Sequence, residues 1–156
     1  MKNHLVTITV FLAGLCLATF AQAQGSLEGA WQLQERMVSG GENEGTNTDP
    51  NLNIILFSAG HYSAMRNAGD RPDPLPEGQT PTDEQRLAAF AAFRANSGTY
   101  EVSGSKLTRH SMLNRNPGTV GNTLEVEYQI EGDKLMLTSP PNDEGGVLHL
   151  TYTRLD

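Results

Sequence analysis

Few side chains in this sequence have the types and spacing that catalysis or metal binding requires. Three histidines, His61, His110 and His149, lie far apart in the chain and lack the short spacing of metal ligands on one element. No Gly-x-Ser-x-Gly elbow, phosphate-binding loop or dinucleotide fingerprint occurs. The sequence therefore predicts no catalytic residue, no metal and no cofactor.

Several of the remaining side chains are suited to holding a ligand. Tyr62, Tyr100 and Tyr128 each combine a large apolar ring with a hydroxyl that can form a hydrogen bond. We expect them to be ligand-binding residues of an internal pocket. The alternative is that each is a core residue whose polar tip reaches a local partner.

Two charged residues fall at positions that strand alternation assigns to an apolar face. Glu35 is in phase with Leu33 and Met37, and Arg66 is in phase with Tyr62. A buried charge is costly unless it is paired. Either these residues reach solvent at strand ends, or they mark the polar end of a cavity, where Arg66 could hold a carboxylate through two parallel hydrogen bonds.

His110 is the remaining candidate for ligand binding. It shares the phase of Thr108 and Met112, so it points into a cavity if that face is the inner one. Leu107 and Leu113 favour the opposite face as the inner one. In that case His110 is exposed or forms a cross-strand hydrogen bond.

The charge balance excludes several classes of partner. With 18 acidic residues against 11 lysines and arginines, the formal net charge is −7. This field repels phosphate backbones and anionic lipid surfaces, and no basic patch is visible in the sequence. We therefore expect no nucleic-acid partner, and a protein partner is left unknown.

The amino-terminal segment has the pattern of a secretory signal peptide. An apolar run over residues 5–20 follows Lys2 and ends in Ala21-Gln22-Ala23, a small-residue cleavage site. Cleavage after Ala23 gives residues 1–23 as the signal and residues 24–156 as one periplasmic or secreted domain. The single cysteine, Cys16, lies inside the signal and follows Leu15, which argues against a lipid anchor. We expect no stable membrane anchor.

The rest of the chain predicts eight strands and one helix. Apolar and polar residues alternate with period two, most clearly over Thr123–Glu131, and short segments with turn residues separate the runs. The strands are expected around residues 31–37 and at Leu52–Phe57, His61–Arg66, Thr99–Val102, Lys106–Leu113, Thr123–Glu131, Lys134–Ser139 and Val147–Leu155.

The helix is expected between strands three and four, over Thr82–Asn96. A proline-rich connection precedes it, and residues 80–85 supply a capping hydroxyl, a first-turn proline and early acidic residues. Leu87, Phe90 and Phe93 share one face, which predicts that the helix packs on one end of the sheet as a plug or a lid. Arg94 belongs to its polar side.

Eight strands joined mainly by short turns favour an all-β, antiparallel up-and-down barrel, which has room for side chains or one small ligand. A two-sheet sandwich is the alternative. The residues expected to face inward, besides Arg66 and His110 as polar exceptions, are Leu33, Ile54, Leu56, Tyr62, Tyr100, Val102, Leu124, Val126, Tyr128 and Leu135.

The chain resembles the bacterial lipocalin-like domain families of the calycin group. The resemblance rests on residues 27–33 (LEGAWQL), residues 98–102 (GTYEV), His110, Asn116-Pro117, Gly121, residues 132–137 (GDKLML) and residues 152–154 (YTR). It implies an up-and-down barrel in which Trp31 lies near the closed end and Arg154 stacks on its ring, so both residues are structural.

The sequence thus predicts an exported lipocalin-like protein that binds a small hydrophobic or amphipathic molecule in its barrel without chemistry. Two alternatives are left open. One is a barrel enzyme of the isomerase or cyclase type that acts through His110 or a tyrosine. The other is a protein-binding or inhibitor module that uses its loops, because fold alone does not choose among these functions.

Overall fold

The computed structural model describes residues 26–69 and 72–155. The predicted signal peptide lies outside these residues. No helix in the described part of the chain is long and apolar enough to span a membrane. The elements are β1 (Gly29–Ser39), β2 (Gly45–Asn47), β3 (Asn53–Ser58), β4 (His61–Asn67), α1 (Asp83–Ala92), β5 (Phe93–Ser103), β6 (Lys106–Asn114), a 3-10 helix (Pro117–Thr119), β7 (Thr123–Glu131), β8 (Lys134–Thr138) and β9 (Val147–Arg154).

The predicted eight-stranded antiparallel barrel is confirmed. Each strand from β3 to β8 pairs with the strand that follows it, and β1 pairs with both β3 and β9, which closes the sheet. The short β2 pairs only with the second half of β1 and lies outside the closed ring. The α-helix α1 lies between the third and fourth strands of that ring, as expected.

One end of the barrel is closed by the segment that leads into β1. The Trp31 side chain is fully buried there and its Nε1 donates to the Leu27 carbonyl at 2.9 Å. The Arg154 guanidinium lies 4.0 Å from the Trp31 ring centroid and donates to the carbonyls of Glu28 and Ser26 at 2.7 and 2.6 Å. The expected stacking of Arg154 on Trp31 is therefore confirmed, and these contacts fasten the segment across the end.

The phase of β3 is the reverse of the expected one. Ile55 and Phe57 are buried in the core, whereas Leu56 is 39% exposed. The run from Leu52 to Phe57 is apolar on both faces, so alternation alone could not choose between them. Pairing of Ile55 with the inward-facing Trp31 fixes the register, and the expectation that Ile54 and Leu56 face inward was wrong.

A β-bulge changes the phase of β1 midway along the strand. Leu33 pairs with Tyr152 but Glu35 pairs with Thr151, so Gln34 is an extra residue. The bulge places Glu35 on the outer face, where it lines a surface groove with Thr151 and His149. The prediction that Glu35 lies on the apolar inner face is therefore corrected.

The helix α1 is shorter than predicted and does not plug the barrel. Its start is as expected, because Thr82 caps it and forms a capping box with Gln85. It ends at Ala92, and the following residues, including Arg94, belong to β5. Leu87 and Phe90 are 68% and 56% exposed, so the apolar face predicted to pack on the barrel faces solvent.

Gly98 permits the close approach of β5 and β6. A Cβ at this position would overlap the His110 carbonyl oxygen and lie 3.0 Å from the Met112 nitrogen, both of them backbone atoms. We expect Gly98→Ala to lower the free energy of unfolding by about 1–3 kcal/mol, because the backbone must shift. Gly45→Ala is the matched control, since its Cβ meets nothing within 4 Å. Urea denaturation that gave equal stabilities for the two variants would contradict this expectation.

Candidate functional site

A cavity of about 460 Å³ opens at the end of the barrel opposite Trp31. That end is formed where β4 and β6 finish and where β3 and β5 begin. The closed half holds large side chains that are fully buried, among them Trp31, Phe57 and Leu135. We call this space the arginine cavity. Its lining is Asn53, Ile55, Ala64, Met65, Arg66, Arg94, Ala95, Asn96, Arg109, Asn114, Arg115, Asn116, Thr119, Leu150 and Tyr152.

Arg109 occupies the floor of the arginine cavity. It lies two residues after the buried Leu107 on β6, so alternation directs it inward. Its guanidinium carbon is 5.3 Å from the centroid of the Tyr62 ring. Burial lowers the pKa of the Arg109 guanidinium, and Tyr152 and Tyr62 offset part of that effect. Arginine nevertheless stays charged at neutral pH, so the cavity has a cation at its base.

Tyr152 lies beside this cation on β9. Burial raises the pKa of the Tyr152 hydroxyl, while Arg109, the Asn53 side chain and Arg66 lower it in part. The phenol is therefore neutral at physiological pH. A neutral phenol next to a guanidinium can donate a further hydrogen bond to an anion.

Two further arginines connect the cavity wall to the last turn of α1. The Arg94 Nη1 donates to the carbonyls of Ala91 and Phe93 at 2.6 and 3.1 Å. The Arg115 Nη1 donates to the Phe90 carbonyl at 3.0 Å, and its guanidinium carbon lies 4.8 Å from the centre of the Phe90 ring. Cations at the carboxyl end of a helix are favoured by its dipole. These two residues therefore hold the helix end as well as lining the cavity.

No carboxylate among the described residues lines the arginine cavity. The two ion pairs found in this part of the chain, Arg86–Asp83 and Lys106–Glu125, lie on outer surfaces and are half-exposed or more. Four arginines thus line one space that no described carboxylate lines. The cavity is therefore locally positive, although the formal net charge of the whole chain is −7.

Polar atoms without partners concentrate at the same place. Among the described residues, the buried side-chain atoms that form no hydrogen bond are Asn96 Oδ1, Arg109 Nε, Ser111 Oγ and Arg115 Nε. Asn96, Arg109 and Arg115 line the arginine cavity, and Ser111 lines a recess of about 240 Å³ that shares Asn96 and Arg109 with it. Buried polar atoms in proteins are nearly always paired. These four atoms are therefore available to form hydrogen bonds with a polar ligand.

The structure brings together only two of the five predicted ligand-binding residues. Arg66 lines the arginine cavity, and Tyr62 lines the recess and lies beneath Arg109. Tyr128 is buried in the core, and Tyr100 packs edge-on against Phe57 with ring centroids 5.1 Å apart. Neither of them lines the cavity or the recess.

His110 faces outward. It pairs with Thr123, and its Nδ1 lies 3.0 Å from the Thr123 Oγ1 on β7. Leu107 and Arg109, which alternate with His110, are the residues that point inward. The interior orientation considered for His110 is therefore wrong, and its role is a cross-strand hydrogen bond.

Sequence reasoning missed most of the residues that define the cavity. Arg109 was detectable, because it shares the phase of Leu107 on a predicted strand. Arg94 was assigned to the helix, so its place on the inner face of β5 could not be foreseen. Tyr152 and Arg115 gave no local signal, since their positions depend on closure of the barrel and on the loop after β6.

His61 and His149, the other two histidines in the part of the chain that the structure describes, are used in local contacts. His149 Nε2 lies 2.9 Å from Ser39 Oγ, and His61 Nδ1 lies 3.0 Å from the Ala59 carbonyl. Within residues 26–69 and 72–155, no group of three histidine, cysteine or acidic side chains is placed to hold a metal ion.

Comparison with known proteins gives matches to solved structures. No protein-family model and no curated protein matches the chain. A lipocalin-like protein from Bacteroides uniformis is similar in structure, with 14% sequence identity and a TM-score of 0.48. The alignment covers 84% of this chain and 100% of the chain of that protein. An uncharacterized protein from Bacteroides eggerthii aligns with 82% of this chain and 99% of its own, at 11% identity and a TM-score of 0.46.

Proposed function

We propose that this protein binds a small amphipathic molecule that carries an acidic group, and that the acid is held by Arg109 at the floor of the arginine cavity. The observation that carries the proposal is the buried Arg109 Nε, which has no partner among the described residues and lies in a cavity that no described carboxylate lines. A carboxylate fits a guanidinium through two parallel hydrogen bonds. In this proposal the protein binds the molecule and does not convert it chemically.

The size of the cavity limits the length of the ligand. A volume of about 460 Å³ lies within the usual range for small-molecule sites. Trp31, Phe57 and Leu135 are fully buried in the closed half, so we expect a ligand whose body ends near Arg109 and not a long acyl chain. Ile55, Ala64 and Leu150 provide apolar contact for a short aliphatic or aromatic body. The lining is more polar than the mostly apolar pocket that the sequence predicts.

An acid and its neutral counterpart provide the test of this proposal. We expect octanoate to bind more tightly than octanol by about 10- to 100-fold, since a hydrogen bond to a charged group contributes about 1.5–3 kcal/mol. Isothermal titration calorimetry at two salt concentrations measures both affinities. The affinity for octanoate should fall as the salt concentration rises, whereas the affinity for octanol should not change. Equal affinities for octanoate and octanol would contradict the proposal.

Export remains part of the same proposal. The apolar run and the Ala21-Gln22-Ala23 site support removal of residues 1–23, so that the barrel works in the periplasm or outside the cell. Amino-terminal sequencing of the exported protein should begin at Gln24. A sequence that begins at Met1 would contradict it.

A further inference from the structure

The arginine cavity contains a second cationic position at its mouth. Arg66 on β4 and Arg94 on β5 are direct cross-strand partners on the inner face, and both line the cavity. Like charges directly opposite each other on a sheet destabilise it. The described ion pairs include neither residue, so no lining carboxylate offsets this repulsion.

The mouth and the floor lie at different depths. The guanidinium of Arg109 lies over the ring of Tyr62, and Arg66 follows Tyr62 by four residues on the same strand. At about 3.3 Å per residue, the Cα atoms of Tyr62 and Arg66 are about 13 Å apart along β4. The backbone of β4 therefore places Arg66 nearer the mouth than the Tyr62 ring that the Arg109 guanidinium covers.

Polar side chains that can complete an anion site surround the mouth. Asn53 is the cross-strand partner of Arg66 on β3, and Asn96 and Asn114 are partners of each other on β5 and β6. All three line the cavity. Amide groups donate hydrogen bonds without adding charge, so the mouth combines two guanidinium groups with neutral donors.

We propose that the ligand carries two acidic groups, one bound by Arg109 at the floor and the second bound by Arg66 and Arg94 at the mouth. This inference rests on the proposed function, because it requires that the first acid binds at Arg109. The ligand class is a short molecule with an acid at each end, such as an α,ω-dicarboxylate. Its body lies against Ile55, Ala64 and Leu150.

Matched probes separate the second acid from the first. We would titrate the protein with α,ω-dicarboxylates from succinate to sebacate and with the monocarboxylate of equal length for each. The expected result is an optimum length at which the dicarboxylate binds at least about 10-fold more tightly than its monocarboxylate. Its affinity should also fall more steeply with salt, because two ionic contacts are screened.

The variant Arg66→Gln assigns the second acid to the mouth. Arg66 is chosen because it is exposed, whereas Arg94 also binds the carbonyls at the end of α1. In Arg66→Gln, the ratio of dicarboxylate affinity to monocarboxylate affinity should fall to about twofold or less. Arg86→Gln, on the outer side of α1, should keep the full advantage. Thermal unfolding of both variants checks that they fold.

The outcomes distinguish this inference from the proposed function. Suppose that monocarboxylates bind but that no dicarboxylate binds more than twofold more tightly than its matched monocarboxylate. The inference is then overturned, and binding at Arg109 stands. If the advantage persists in Arg66→Gln, the second acid binds elsewhere and the inference is also overturned. If no probe of either series binds, both proposals fail.

Discussion

Replacing Arg109 with methionine is expected to stabilise the ligand-free barrel and to remove most of its affinity for carboxylates. The Arg109 Nε is buried and has no partner, and no described carboxylate lines the cavity around it. Methionine keeps much of the side-chain volume without the charge. We expect the free energy of unfolding to rise by about 1–2 kcal/mol, because an unsatisfied buried polar group is removed.

The same substitution should weaken octanoate binding by about 2–4 kcal/mol, or about 30- to 1,000-fold. Urea denaturation and calorimetry measure the two effects on the same preparation. Arg86→Met is the matched control, since Arg86 is exposed and lies outside the cavity. A loss of stability in Arg109→Met together with unchanged binding would show that Arg109 is a structural residue and not a ligand site.

The second large effect is expected at the closed end. Trp31 is fully buried, donates a hydrogen bond to Leu27 and is covered by Arg154. Trp31→Ala should cost about 3–5 kcal/mol, because it leaves a large cavity and removes that hydrogen bond. This is a substantial part of the stability of an ordinary domain, which is about 5–15 kcal/mol.

Two companion variants define the cause of that loss. Arg154→Met removes the stacking on Trp31 and the hydrogen bonds to Glu28 and Ser26 but keeps the indole in place, so a smaller loss of about 1–3 kcal/mol is expected. Leu113→Ala changes a side chain that is 70% exposed and should alter stability by less than about 0.5 kcal/mol. Circular dichroism during urea denaturation measures all three. A Trp31→Ala protein as stable as Leu113→Ala would contradict the role assigned to Trp31.

The barrel itself could be predicted because its signals are local. Strict alternation over Thr123–Glu131, turn residues between strands and the capping residues Thr82 and Gln85 each specify an element from neighbouring residues. Eight strands with mostly short connections leave few alternatives to closure of the sheet. The pair Trp31 and Arg154 followed from resemblance and not from spacing, since 123 positions separate them.

The errors arose where two arrangements satisfy the same local pattern. Ile54 and Ile55 are both apolar, so only pairing with β1 decides which of them faces the core. Gln34 is an ordinary strand residue, and nothing in its neighbours signals the bulge that turns Glu35 outward. The face of α1 formed by Leu87 and Phe90 satisfies the helical pattern but is exposed in this structure.

The cavity was the least predictable feature because it is assembled from distant strands. Tyr62 was found as a large ring with a hydroxyl, and Arg66 because it is in phase with Tyr62 on β4. Arg109, Arg94 and Tyr152 join them only when the sheet closes. A charged residue in phase with an apolar face was a useful signal for Arg66, and the same criterion applied to Leu107 and Arg109 would have located the floor of the site.

Nuclear magnetic resonance of the arginine side chains tests binding at Arg109 most directly. The Nε–H resonances would be followed while octanoate is added. The resonance of Arg109 is assigned as the one that is missing from the spectrum of Arg109→Met. A carboxylate that accepts a hydrogen bond from this group should move the Arg109 resonance downfield in proportion to the bound fraction, and leave Arg86 unmoved. If octanoate binds while the Arg109 resonance stays in place, the acid is held elsewhere and the assignment of the site is wrong.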